Sequence, residues 1–141
     1  MAADKTNRNI IHGRSISRGT ASGEVLICKE AISFLGDIDP KNGICVAPKH
    51  ALEGKCIAGK VLVFPQGKGS TVGSYVLLQL TKNGKAPAAM INLEAEPIIA
   101  VGAIISKIPM VDKLEKNPME LLKDGMSVEV DGDKGTIKIV S

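Results

Sequence analysis

Aromatic residues are nearly missing from this 141-residue chain: Phe34, Phe64 and Tyr75 are all there are, 2% of the sequence, with no tryptophan. A core must therefore be built from Val, Ile, Leu, Ala and Met, and base stacking on aromatic platforms is excluded as a principal binding mode. Charge of one sign is equally scarce. The 18 basic and 15 acidic residues are interspersed, leaving +3, a solubility charge rather than a nucleic-acid stripe. Lys5, Arg8, Arg14 and Arg18 form the one basic cluster, read as a tail plus strand-end charges. No nucleic-acid partner is expected. No stretch approaches the ~18 consecutive apolar residues of a membrane span, and the first thirty residues hold no apolar leader core. No membrane association and a cytoplasmic location are expected.

Cysteines are few and widely spaced. Cys28, Cys45 and Cys56 form no Cys-x-x-Cys, and their odd number suits reduced, mostly buried thiols rather than a disulfide framework. His12 and His50 make no His-x-x-x-His pair. No metal site closed within this chain is expected, and both histidines read as surface or strand-end residues.

What is present is a chain with 44% hydrophobic residues, enough for one real core. Residues 1–9 are polar and aperiodic and read as a disordered arm, and residues 10–141 as a single domain. Ile10 to Ser17 and Glu24 to Lys29 read as strands that can pair across the turn-like Arg18 to Gly23. Ala31 to Leu35 is a short apolar run, and Asp39-Pro40 sits in a turn-rich loop where an Asx hydrogen bond is the favoured use of Asp39. Ile44 to Ala47 gives a further short strand. Ala88 to Leu93 reads as a strand, and Pro97 to Ile105 as a helix whose proline suits its first turn, with Glu94 and Glu96 placed to suit its dipole. Pro118 to Lys123 is one helical turn. Met126 to Val130 and Thr136 to Val140 flank Asp131-Gly-Asp-Lys-Gly135 as a hairpin.

The most informative stretch is Gly59-Lys-Val-Leu-Val-Phe-Pro-Gln-Gly-Lys-Gly-Ser70. Val61 to Phe64 reads as a buried strand, Pro65 stops it, and Gly67 and Gly69 free the backbone before a helix that runs from Ser70 to Lys82 and stops at Asn83-Gly84. Helix N-terminal amides lack intrahelical acceptors and carry the positive end of the dipole, so this corner favours an anion. Lys68 adds a mobile cation. Ser70 stands at the mouth of the amides, where it can either cap the helix or react. A Walker A loop needs glycine five residues before its Gly-Lys-Ser/Thr; Leu62 stands there and Gly69 follows the lysine, so nucleotide hydrolysis is not supported.

Gly13-Arg14, Gly19-Thr-Ala-Ser-Gly23, Asp39-Pro40, the Gly59 to Ser70 stretch, Ala88 to Leu93 and Gly102-Ala-Ile-Ile-Ser-Lys-Ile-Pro-Met-Val-Asp112 together resemble the small subunit of the aconitase X family. The resemblance runs from about Ile10 to Val140. It implies an α/β fold, the aconitase-like swivelling β/β/α domain, strand-rich with two or three helices. It also implies one subunit of a heterodimeric hydro-lyase that dehydrates (R)-5-phosphomevalonate to trans-anhydromevalonate 5-phosphate in an archaeal modified mevalonate pathway of isoprenoid biosynthesis. The large subunit would carry a [4Fe-4S] iron–sulfur cluster, and the active site would close between the subunits. By the same resemblance Ser70 is the proton acceptor, and Gly67, Lys68, Gly69 and Thr71 are substrate-binding candidates for a small anionic substrate. Related bacterial proteins dehydrate cis-3-hydroxyproline, which stands as the alternative reaction. The segment Asp124 to Ile139 also resembles the end of phosphohistidine swivelling domains, but neither histidine has the Ser/Thr-His setting that a phosphocarrier needs. A non-catalytic regulatory subunit is the remaining reading.

Overall fold

A computed structural model of the chain describes residues 10–68 and 72–140. The arm read for residues 1–9 lies outside the described residues. In chain order the elements are β1 (Ile10–His12), β2 (Arg14–Ser17), β3 (Thr20–Ile27), α1 (Phe34–Asp37), β4 (Val61–Phe64), α2 (Val72–Lys82), β5 (Ala89–Asn92), α3 (Pro97–Ser106), β6 (Met110–Asp112), α4 (Pro118–Leu121), β7 (Ser127–Asp131) and β8 (Thr136–Ile139). Among the described residues only α2 and α3 are helices of length. α1 is a turn broken at Leu35 and Gly36, which lies at φ 102°, and α4 is a single turn capped by Asn117.

The strands form one sheet in the order β1-β8-β7-β3-β4-β5-β6-β2. β3, β4, β5 and β6 are parallel, and every other pair is antiparallel. β1 and β2 are separated in sequence by Gly13 alone yet sit at opposite ends of that order, so the sheet has to curl until its ends meet. Contacts at the β7–β8 turn record the closure. The Gly13 N–H donates to Gly135 O at 2.8 Å, and the Ser15 hydroxyl donates to Gly132 O. A Cβ on Gly132 would stand 2.0 Å from Ser17 O, and one on Gly135 2.7 Å from Ser15 N. Closing the curl protects edges that would otherwise be left to pair with other chains.

Strand alternation divides the apolar residues between two cores. Val25, Val61, Val63, Ile91, Val111, Val128 and Ile137 fill the inside of the curl. Leu62, Phe64, Met90 and Met110 point the other way, against Leu77 and Leu80 of α2 and Ile99 and Ala103 of α3. The helices approach closely because Gly102 has no side chain: a Cβ there would lie 3.0 Å from Ser74 Cα. The layers are the two walls of the curled sheet and the helices outside one of them, the β/β/α arrangement the resemblance implies.

Several local expectations need correction. Thr20 to Gly23, read as turn chemistry, is strand, paired with Asp131 to Val128 of β7. Its small residues serve packing, since a Cβ on Gly23 would meet Gly59 O at 2.8 Å. The turn shrinks to Arg18-Gly19. β2 and β3 do not pair with each other: β2 joins β6, while β3 joins β7 and β4. Ile44 to Ala47 is not a strand but contributes isolated bridges, Ile38 to Cys45 and Ile44 to Cys56. The long helix stops as expected. Gly84 takes φ 70°, and its N–H and that of Lys85 donate back to Thr81 O and Leu80 O at 3.1 and 2.8 Å, a Schellman closure.

Candidate functional site

The parallel strands end at one edge of the sheet, where β4 leads toward α2 and β5 toward α3. In open α/β sheets this carboxyl edge is where ligands bind. After Phe64, Pro65 O accepts from the Leu93 N–H at 3.0 Å, so the two strand exits stay side by side. The next residues are held by Ile32, whose N–H donates to Gln66 O at 3.2 Å and whose carbonyl accepts from Lys68 N–H at 3.0 Å.

Gly67 is buried in this cradle, and the reason for glycine differs from the expectation. It does not adopt a positive φ. A Cβ there would fall 2.0 Å from Ile99 Cγ1 and 3.2 Å from Glu96 Oε1, so Gly67 is where the loop packs against the first turn of α3. Lys68 is exposed beside it. Gly69, Ser70 and Thr71 lie outside the described residues.

Glu96 caps α3, its Oε1 accepting from Ile99 N at 2.7 Å and its Oε2 from Ile98 N at 3.2 Å. The positive end of α3 is thus met by a carboxylate of the same chain. Glu94, also read as dipole-matched, instead reaches Lys113 at 3.6 Å in an exposed pair.

Two buried polar groups at this edge escaped the sequence reading. Asn92, at the end of β5, is fully buried; its Nδ2 donates to Phe64 O at 3.1 Å, while Oδ1 has no partner among the described residues. An unpaired buried acceptor costs about 1–3 kcal/mol. An amide inside the apolar Ala88 to Leu93 run was the available signal. Asp112, at the end of β6, is also fully buried. It takes a two-pronged contact from Arg14, Nε to Oδ1 at 2.9 Å and Nη2 to Oδ2 at 2.8 Å, and a third bond from Ala95 N at 2.7 Å. That contact raises the Arg14 pKa above its ordinary value, first through the hydrogen bonds and then through the charge of Asp112. The Gly13-Arg14 and Gly102 to Asp112 motifs therefore meet in space through this pair.

The other singled-out residues are structural. Asp39 Oδ1 accepts from Lys41 N at 2.8 Å, the expected Asx turn. His12 is an exposed strand end. His50 is not a surface residue: its side chain is 6% exposed, because Nδ1 accepts from Leu52 N at 3.1 Å and Nε2 reaches Ala31 O at 3.3 Å, fixing the ring under its own loop. Cys28 and Cys45 are buried and Cys56 is exposed, all unbridged. Burial pushes the Cys28 and Cys45 thiols up. Among the described residues, no three His, Cys, Asp or Glu side chains converge as metal ligands, and no helix is long and apolar enough to cross a membrane.

The family model described as the aconitase X swivel domain matches residues 10–139. The chain belongs to the aconitase X swivel domain family. Among curated relatives, the "phosphomevalonate dehydratase small subunit" of Methanosarcina acetivorans is 65% identical over 92% of this chain and 90% of its own length. The protein of the same name from Methanosarcina mazei is 66% identical over 91% and 89%. The crystal structure of Thermococcus kodakaraensis aconitase X in its holo form superposes with a TM-score of 0.88 at 52% identity, covering 94% of this chain and 98% of that one. The swivel-domain expectation is thus met in fold as well as in sequence.

Proposed function

We infer that this chain is the small subunit of a phosphomevalonate dehydratase, a hydro-lyase. The observation that carries this reading is the 65% identity to the Methanosarcina acetivorans small subunit across nearly the full length of both chains. The curated relatives favour this reaction and not the dehydration of cis-3-hydroxyproline. The substrate is (R)-5-phosphomevalonate and the product trans-anhydromevalonate 5-phosphate. A large subunit completes the active site.

The iron–sulfur cluster implied by the family does not fit residues of this chain. Cys28 and Cys45 are buried with raised thiol pKa values, and Cys56 stands apart from any convergent donor set among the described residues. The cluster belongs in this reading to the large subunit, and this chain contributes to proton transfer and anion binding.

Ser70 is the proposed proton acceptor. A serine hydroxyl is a poor base at neutral pH, so its alkoxide needs preorganised donors and a nearby cation. Support comes from the ends of Ser70's own segment: Gly67 is locked between Ile32 and Ile99, Lys68 is exposed beside it, and α2 is under way by Val72. Helix amides at that point would favour the developing anion. Gly67, Lys68, Gly69 and Thr71 are the proposed substrate-binding residues, and the enzyme is proposed to work in the cytoplasm.

Dehydration of 5-phosphomevalonate by the co-expressed two-subunit complex tests the reading directly; turnover of cis-3-hydroxyproline instead would select the alternative. Ser70→Ala tests the base. Turnover should fall about 10²–10⁴-fold, the usual contribution of a general base, with assembly intact. Wild-type turnover in a verified Ser70→Ala complex would return Ser70 to capping α2.

A further inference from the structure

α3 carries no charged residue: Pro97-Ile-Ile-Ala-Val-Gly-Ala-Ile-Ile-Ser106. A helix apolar on every side belongs in an interior, yet Val101, Ile104 and Ile105 are 49%, 55% and 53% exposed. Of the nine large apolar side chains exposed among the described residues, five lie on α2 and α3: these three with Val72 and Tyr75. α3 is therefore a ridge rather than a covered rod. On one side, a groove of about 350 Å³ runs between it and Tyr75 of α2. On the other, a second groove separates Ile104 and Lys107 from Ile16 and Arg18 at the end of β2.

We propose that this ridge, with Tyr75, is the surface on which the large subunit seats. The proposal rests on the two-subunit reading above. Two observations select that occupant over a second copy of this chain. First, the ridge starts at the carboxyl edge of the sheet: Pro97 and Ile98 follow Glu96, which sits against Gly67 of the proposed active-site loop. A partner that closes that edge against water meets the first turn of α3 on the way, so one contact surface covers both. Second, Arg18 and Lys107 flank the ridge, and among the described residues no acid lines either groove. A two-fold contact would bring the same patch, cations included, onto itself, whereas a different chain can offer the acidic rim that complements it. The aromatic Tyr75 and the absence of charge at the centre match the composition of interface cores.

The test is binding of the isolated large subunit to this chain carrying Val101→Glu or, more mildly, Tyr75→Ala, with Glu129→Gln, an exposed β7 residue that lines neither groove, as control. Thermal melting and circular dichroism establish that each variant is folded. Binding should weaken at least about 30-fold for Val101→Glu, the scale of losing an interface hot spot, less for Tyr75→Ala, and not at all for Glu129→Gln. Folded Val101→Glu and Tyr75→Ala chains that bind like wild type would overturn the docking surface while leaving the two-subunit reading intact. Failure of the wild-type chain to bind the large subunit would instead bring down that reading. Loss of a self-association in the variants, with large-subunit binding unchanged, would assign the ridge to a second copy and overturn the proposal.

Discussion

Strands β7 and β8 and strands β4 and β5 contribute to the same curled sheet but differ in what lies against their outer faces. β7 reads Ser-Val-Glu-Val-Asp, with Val128 and Val130 buried and Glu129 exposed, because one face fills the curl and the other meets water. β4 and β5, Val-Leu-Val-Phe and Ala-Met-Ile-Asn, are buried at every position, because helices cover their second face. That follows from connectivity: parallel strands need crossovers, and the crossovers bring helices. It also explains where the unusual polar groups went. Asn92, Asp112 and the Gly67 cradle all sit at the carboxyl ends of the helix-covered strands, the edge where chain exits converge on helix N-termini.

The largest expected effect probes the depth of the two halves. Phe64→Ala removes a buried ring that meets Phe34 edge-on at 6.0 Å and should cost about 3–5 kcal/mol, whereas Ile137→Val inside the curl should cost about 0.5–1.5 kcal/mol. Both are read from urea denaturation. Because β3 pairs with β7 along its first part and with β4 along its last, each variant should still unfold in one transition. Two separable transitions would break the idea that the shared strand couples the halves.

A smaller effect sharpens the contrast in how each half uses glycine. Gly132→Ala sets a methyl against the backbone oxygen of Ser17, and Gly67→Ala sets one against the Ile99 side chain. Overpacking usually costs about 1–3 kcal/mol. Gly132→Ala is expected near the upper end, since backbone at a closed seam cannot rotate away, and Gly67→Ala nearer the lower. Equal losses, or the reverse order, would show that the seam is softer than the helix contact.

The smallest effect is confined to alkaline pH. Burial holds the Cys28 and Cys45 thiols protonated above their ordinary range. An unfolded thiol ionises near 8.5, so the unfolded chain releases protons that the folded one keeps. Stability is therefore unaffected by these groups below about pH 8.5 and declines as pH rises from there through the raised folded values. Replacing both by alanine should flatten that decline in pH-dependent unfolding. An unchanged alkaline slope would assign the loss to other groups.

Much of this molecule was readable from local pattern. The continuous run Val61 to Phe64, the alternation around Asp131 to Gly135, the Pro97 start of α3 and the Asn83-Gly84 stop each correspond to an element or its end, since one or two neighbouring residues carry the physical cause: a missing N–H, a tolerated positive φ, a period of two. The ordered motifs sufficed for the swivel-domain family. What local pattern could not carry is anything decided across the curl. Thr20 to Gly23 has the composition of a turn and became strand because β7 supplied partners more than a hundred residues away along the chain. Arg14 and Asp112 are 98 residues apart, and only the antiparallel pairing of β2 with β6, which sets them opposite each other, turns a strand-end cation and a buried acid into one hydrogen-bonded pair. Gly67 looked like freedom for the backbone and proved to be room for Ile99. In each case the deciding term was steric or electrostatic contact between distant segments, which residue type and spacing determine only once the sheet has brought those segments together.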